Sequence, residues 1–160
     1  MSLSALLELC DVASIAIANA AMANGLATEI YFNKALSTIT GNPAAGALRP
    51  DVAVKYPGPE YGLYEIPSPS QTISQMNAKG NVMVQNLANL GINSTCETVT
   101  VPNANAGRFT VRGLGALSIL SMFTHLFELH EALKEDPNLP LIDGLNILNG
   151  TPSPYPYWKT

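Results

Sequence analysis

Charged residues are scarce in this chain of 160 residues, where they make up 12% of the sequence against the roughly 25% usual for globular proteins. The net charge is −4 and the sequence pI is about 5.0, which excludes a global basic field that would attract nucleic acid. Hydrophobic residues reach 47%. We therefore expect either much uncharged polar surface or an apolar surface that meets a partner, including a second copy of the chain.

The features of exported and membrane-spanning chains are also missing. No lysine or arginine precedes Lys34, and Glu8 and Asp11 interrupt the apolar N-terminal stretch, so no signal peptide is recognised. The uncharged run at residues 113–127 is about fifteen residues long, short of the roughly twenty that span a bilayer. We expect no transmembrane span.

Cysteine is limited to Cys10 and Cys96, which lie far apart and form no CxxC or Cys/His zinc spacing. Each is predicted to be a buried free thiol, with a disulfide between them left open. The chain also contains no internal repeat and no glycine loop of the kind that cradles phosphate. These absences exclude a zinc-finger framework and a nucleotide-binding P-loop.

Periodicity and turn residues predict an α/β or α+β fold for residues 1–160 as a single domain, whose size allows a real core. The elements predicted in order are an apolar helix over residues 3–25, a helix over 26–37, a hairpin over 52–66, a helix over 68–90 with Ser68 or Ser70 as N-cap, a strand over 95–101, a linker over 103–107, an apolar helix over 111–134 and an extended Pro/aromatic tail over 150–160.

The hairpin holds two carboxylates that can converge. Asp51 opens its first strand and Glu65 lies within its second. Alternate residues of a strand share a face, so a register that pairs odd positions with odd positions places Asp51 and Glu65 on the same face. The alternative is a pair of exposed hairpin carboxylates that share no ligand.

This constellation resembles the PD-(D/E)xK superfamily of metal-dependent nucleases, with Pro50-Asp51 as the "PD" and Glu65 as the acidic member of "(D/E)xK". A closer similarity, over about residues 26–102, is to nuclease-like C-terminal domains of Rhs-type bacterial polymorphic toxins. It is carried by Arg-Pro-Asp-Val at 49–52 and by Tyr-Glu-Ile-Pro-Ser-Pro-Ser-Gln-Thr at 64–72, followed by a polar helix.

The resemblance implies a restriction-endonuclease-like core of a small mixed sheet with flanking helices, extended here by the apolar C-terminal helix. Asp51 and Glu65 would hold Mg²⁺, a hard cation that prefers oxygen ligands. Glu29, on the second predicted helix, would help to orient the metal. The alternative for Glu29 is a solvated residue that interacts with the helix dipole.

The chain departs from the motif at Pro67, where the family has its lysine. Either another group replaces that lysine or catalysis is lost. The candidates for the replacing group are Lys55 and Gln71. Lys55 shares the face of Asp51 but lies about 13 Å along the strand at roughly 3.3 Å per residue. Gln71 can orient a water molecule but carries no charge.

The resemblance further implies nucleic acid as substrate, a cognate immunity protein as partner, and a protein that is cytoplasmic in the producing cell and delivered into a target cell. Two alternatives remain open. The chain is a non-catalytic relative of this fold, or it is a small protein-interaction module whose apolar helices bury against a partner.

Overall fold

The computed structural model describes residues 12–23, 27–58, 60–112, 114–115 and 126–148. The helices and strands are α1 (Val12–Ala23), β1 (Glu29–Phe32), α2 (Leu36–Thr40), a 3-10 turn (Pro43–Ala45), β2 (Val52–Tyr56), β3 (Glu60–Glu65), α3 (Ile73–Ala88), β4 (Asn93–Thr98), α4 (Val101–Asn105), β5 (Thr110–Val111), β6 (Leu114–Gly115), α5 (Leu126–Glu135) and α6 (Leu141–Leu148). The first part of the N-terminal helix, Cys10 and the aromatic tail lie outside the described residues.

The centre of the fold is a four-stranded open sheet in the order β1-β2-β3-β4. The first three strands are antiparallel neighbours, and β4 runs parallel to β3. A parallel neighbour requires a crossover connection, and α3 supplies it between β3 and β4. The expected mixed sheet with flanking helices is therefore confirmed, at the level of an α/β architecture.

Helices cover both faces of the sheet. On one face, α3 and α2 bury the odd-numbered side chains of the hairpin, among them Ala53, Tyr61 and Leu63. On the other face, α1 and the C-terminal helices bury the even-numbered Val52 and Val54. Since β3 is covered on both sides, its sequence is almost continuously buried.

The N-terminal helix is confirmed over Val12–Ala23, and eight of its twelve residues are buried. It packs between the sheet and the C-terminal helices, as expected for a helix that is apolar on most sides. No helix among the described residues combines the length and the apolarity needed to cross a bilayer.

The hairpin is confirmed and is tighter than predicted. Only Pro57 and Gly58 among the described residues form the turn, and the strand resumes at Glu60. Its register pairs Val52 with Tyr64 and Ala53 with Leu63. Odd positions therefore pair with odd positions, and the same register continued by one residue sets Asp51 opposite Glu65.

The helix predicted over residues 26–37 is wrong. Glu29–Phe32 form β1, an edge strand in register with β2, and a short helix begins only at Leu36. Ile30, Tyr31 and Phe32 are β-formers, and pairing with β2 decides their conformation. Glu29 therefore lies on a strand, not on a helix.

The region after β4 also differs from the prediction. Residues assigned to a linker form α4, which Thr100 caps and in which Pro102 occupies the first turn, where its missing N–H costs nothing. Thr110–Val111 and Leu114–Gly115 pair as the antiparallel strands β5 and β6, where the start of a long helix was predicted. The predicted helix is confirmed only over Leu126–Glu135 within the described residues.

Helix α3 begins later than predicted and packs unusually close to β4. Its N-cap is Thr72, which forms a reciprocal capping box with Gln75, so neither Ser68 nor Ser70 is the cap. A Cβ placed on Gly80 would lie 2.7 Å from Sγ and 3.2 Å from Cβ of Cys96. Glycine at this position therefore permits the close approach of helix and strand.

We expect Gly80→Ala to destabilise the fold by about 1 kcal/mol, because overpacking of about 1–3 kcal/mol exceeds the gain of about 1 kcal/mol in helix propensity. Cys96→Ala removes the sulfur and should recover part of the loss in the double variant. Urea unfolding of the four proteins measures this coupling. Asn81→Ala, at the next and exposed position of α3, is the control and should change stability by less than about 0.5 kcal/mol. A stabilised Gly80→Ala would contradict the packing argument.

Candidate functional site

Two carboxylates meet where β2 begins and β3 ends. Asp51 directly precedes β2, and Glu65 is the last residue of β3. Both continue the odd-numbered face of the hairpin, which α3 covers. The negative charge of Asp51 acts on Glu65 and raises the pKa of its carboxyl. The structure thus brings together the two residues that the register argument placed on one face.

Asp51 is fixed from two sides. Its Oδ2 accepts a hydrogen bond of 2.6 Å from the backbone N–H of Ile66, just beyond the end of β3. Its own backbone carbonyl accepts one of 3.2 Å from Asn33, just beyond the end of β1. The side chain therefore takes the place of a main-chain acceptor at the end of the hairpin, which holds the carboxylate beside Glu65.

Glu65 is a buried carboxylate whose partner comes from α3. Its side chain is 1% exposed, and Lys79 Nζ lies 3.0 Å from Oε1 and 3.2 Å from Oε2. Only the Oε2 contact has hydrogen-bond geometry, and Oε1 has no hydrogen bond among the described residues. A buried charge of this kind is tolerated only beside an opposite charge.

Lys79 is also held by the chain that leads into the hairpin. Its ammonium donates a hydrogen bond of 2.7 Å to the backbone carbonyl of Arg49. The neighbouring Gly80 allows α3 to lie close to the sheet, so the side chain of Lys79 spans the short distance to Glu65. A cation, two carboxylates and a backbone carbonyl thus form one compact polar cluster.

The electrostatics of this cluster raise the pKa of Glu65 from 4.5 to about 7. Burial is the largest cause, and the neighbouring negative charge of Asp51 acts in the same direction. Lys79 lowers the pKa and offsets part of this effect. Near neutral pH, Glu65 therefore exchanges its proton readily, as carboxyls at functional sites often do.

The cluster offers oxygen ligands for a divalent cation. Mg²⁺ is commonly bound through one or two carboxylates, with water and substrate oxygens completing the octahedron. Asp51 and Glu65 match this donor set, and Glu65 Oε1 has no hydrogen bond among the described residues. The described residues bring no third His, Cys, Asp or Glu to the pair.

The other predicted site residues lie away from the pair. Glu29 is exposed and lies opposite Lys55 in the register of β1 and β2. Lys55 is four residues along the strand from Asp51, a distance of about 13 Å. Gln71 is exposed, and its Oε1 accepts a hydrogen bond of 3.0 Å from Ser68 N in the turn before α3. Lys55 lies where it was predicted, on the face of Asp51 but distant from it.

Lys79 was missed because it is separated from Glu65 by the turn that leads into α3. One sequence signal was available: Lys79 is the only charged residue between Ile73 and Ala88. It is followed directly by Gly80 in the middle of a helix. The glycine indicates close packing of the helix, and the lone cation next to it indicates a buried acid within reach.

Cys96 contacts the same helix but offers no nucleophile. It is a free, half-buried thiol, and burial and the negative charge of Glu65 raise its pKa to about 12. The thiolate is the reactive form, so the side chain serves packing beneath Gly80.

A cavity of about 480 Å³ is lined mainly by residues of β3 and β4, and the carboxylate pair does not contribute to it. Arg112 lines the cavity, donates a hydrogen bond of 2.9 Å to Glu60 and lies 4.8 Å from the ring centre of Tyr56. The cation that lines this cavity is therefore already neutralised. The cavity includes neither Asp51 nor Glu65.

The chain matches no family model, and no curated protein or solved structure is significantly similar to it. The assignment of a function therefore depends on the geometry of the cluster and on the sequence motif.

The raised pKa of Glu65 predicts how stability depends on pH. In the folded chain the pKa of Glu65 is raised to about 7, whereas the ordinary pKa of a glutamate, which applies to the unfolded chain, is 4.5. The stabilising contribution is therefore complete below pH 4.5 and is lost as the pH rises through about 7. Between pH 5 and 8, the free energy of unfolding should fall for the wild type relative to Glu65→Gln, as measured by urea denaturation.

Glu60→Gln is the control for this experiment. It removes the same charge from the first residue of β3, where the carboxylate is 37% exposed and pairs with Arg112. Its pH dependence should follow that of the wild type. Parallel stability curves for the wild type and Glu65→Gln would contradict the raised pKa.

Proposed function

We propose that this chain is a divalent-metal-dependent nuclease-like toxin domain that cleaves phosphodiester bonds of nucleic acid. The observation that carries the proposal is the buried pairing of Glu65 with Lys79 beside Asp51. The motif lacks its lysine at Pro67. In this proposal the ammonium group of Lys79, which comes from α3 and contacts Glu65, takes the part of that lysine.

Each residue of the cluster has a role in this proposal. Asp51 and Glu65 hold Mg²⁺, which polarises a phosphoryl oxygen and lowers the pKa of bound water when it is present. Lys79 supplies a positive charge next to the carboxylates, where the attacking water and the phosphate would meet. Its hydrogen bond to the Arg49 carbonyl keeps the ammonium in place when Glu65 binds metal.

The fold supports the proposal at the level of element order. The β2–β3 hairpin, α3 and the parallel strand β4 follow one another in the order that the resemblance implies, whereas β1 occupies the position of the helix that was expected to carry Glu29. A toxin of this kind requires a cognate immunity protein in the producing cell. We propose such a protein as the natural partner of the chain.

A non-catalytic role is the second candidate, and the contacts of Lys79 favour it. Its ammonium is already satisfied by Glu65 and by the Arg49 carbonyl, in the manner of a structural ion pair. The net charge of −4 also disfavours long-range attraction of nucleic acid. In this case the chain retains the scaffold as a binding module.

Metal binding can be tested without any substrate. At pH 8, about 10 mM Mg²⁺ should stabilise the wild type by about 1.4 kcal/mol if the dissociation constant is about 1 mM. The effect should shrink at pH 6, because the proton on Glu65 competes with the metal. Urea unfolding with and without Mg²⁺ measures both quantities.

Two variants serve as the comparison for metal binding. Asp51→Asn should abolish the stabilisation, because it weakens one of two ligands. Glu29→Gln should retain it, because Glu29 lies at the far end of β1. Equal stabilisation of all three proteins would place the metal elsewhere.

Catalysis is tested with plasmid DNA and total RNA in the presence of Mg²⁺ or Mn²⁺. We expect cleavage by the wild type, and a loss of about 100-fold or more in Asp51→Asn, Glu65→Gln and Lys79→Met, because each removes a charge at the reacting phosphate. Circular dichroism establishes that each variant is folded.

Lys55→Met is the matched control for Lys79→Met. It removes a lysine on the same face of the sheet, four residues from Asp51, and should keep full activity. No cleavage by the folded wild type, or cleavage unchanged in the three site variants, would reject the enzyme and leave the binding module.

A further inference from the structure

The few cations of this chain are unevenly distributed. Eight lysines and arginines are present, and three of them form ion pairs among the described residues: Lys79 with Glu65, Arg112 with Glu60, and Lys134 with Glu131. Arg108, Lys34 and Arg49 are exposed and form no ion pair within the described part of the chain. Arg108 follows α4, whereas Lys34 and Arg49 precede β2. The latter two lie near the carboxylate pair.

The sheet register places these two residues at the same end of the fold as the cluster. Phe32 pairs with Val52, and the backbone N–H of Asn33 donates to the Asp51 carbonyl over 3.2 Å. Lys34 follows directly along the chain, and Arg49 precedes Asp51 by two residues. Carboxylates Glu29 and Glu60 belong to the opposite end of the sheet.

Arg49 is tied to the end of β1. Its Nη1 donates a hydrogen bond of 3.4 Å to the carbonyl of Asn33, a residue whose φ of 48° turns the chain out of the strand. Its backbone carbonyl accepts from Lys79. The guanidinium has five N–H donors, so this single contact positions it and leaves donors for another acceptor.

We propose that Arg49 and Lys34 form a phosphate-contacting rim that holds the backbone of a nucleic-acid substrate beside Asp51, Glu65 and Lys79. The inference rests on the proposed function, since it assigns the substrate-binding side of the same site. A local rim of this kind overcomes the acidic net charge, because charges that lie farther from the rim than a Debye length of about 10 Å are largely screened. Arginine suits this role through its planar fork, which matches phosphate oxygens.

The rim makes a quantitative prediction about salt. Each neutralised phosphate contributes about 0.9 to the slope of log affinity against log salt for duplex DNA and about 0.7 for single strands. Lys34→Ala and Arg49→Ala should each reduce the slope by about this amount. Near 0.1 M salt, each should weaken binding about five- to eightfold, and the double variant by the product.

The measurement is fluorescence anisotropy of a labelled 20-base-pair DNA duplex and of a labelled single-stranded RNA, titrated with protein between about 50 and 200 mM salt. All proteins carry Glu65→Gln, so that the bound probe is not cleaved, and the Glu65→Gln protein without further changes is the parent. All solutions contain Mg²⁺. Lys55→Ala is the charge-matched control, since Lys55 lies four residues along the strand from Asp51 and does not belong to the rim. Arg49→Lys should restore the slope, because it keeps the charge.

Each outcome bears on the rim. A smaller slope for both rim variants, with an unchanged control, supports it. Equal slopes for rim and control variants, or a parent protein that binds neither probe, would overturn it. Cleavage by the wild type is assayed in parallel: cleavage with unchanged rim slopes rejects the rim alone, and reduced rim slopes without cleavage reject the enzyme alone.

Discussion

The close contact between α3 and β4 is the constraint on which the rest of the structure depends. Without a side chain at Gly80, the helix lies against Cys96 and completes the buried layer on one face of the sheet. The same contact brings Lys79 to Glu65. A carboxylate that is 1% exposed would otherwise be an uncompensated buried charge, which proteins do not tolerate. Packing and electrostatics at this face are thus two results of one close approach.

The cluster has the properties of both a functional site and a structural ion pair. The charge of Asp51 makes the ionisation of Glu65 more costly, and a fold selected only for stability would gain from replacing one of the two carboxyls with an apolar residue. The chain instead retains Asp51 and Glu65 together at the end of the hairpin, with a pKa for Glu65 near neutrality. A bound cation would relieve this arrangement, and the proposal of a metal-dependent function rests on that relief.

Local patterns predicted the hairpin, because alternation in a strand is a short-range property that turn residues punctuate. They gave the convergence of the two carboxylates only for a register that pairs odd positions with odd positions, which is the register observed. They also predicted α1, α3 and most of β4. Glu29 was assigned to the wrong element because β1 owes its conformation to pairing with β2, some twenty residues away. The β5–β6 hairpin was missed for a similar reason, since its apolar residues suit a helix equally well. Lys79 could not be paired with Glu65 from spacing, because the depth to which α3 approaches the sheet is a tertiary property.

The carboxylates and their cation belong to different segments of the fold. Hydrogen bonds of the hairpin hold Asp51 and Glu65, whereas Lys79 is carried by a helix that is held to the sheet by side-chain packing. Segments of a native protein open with different free energies, so α3 can separate from the sheet while the hairpin stays paired. The cluster is therefore only as persistent as the docking of α3.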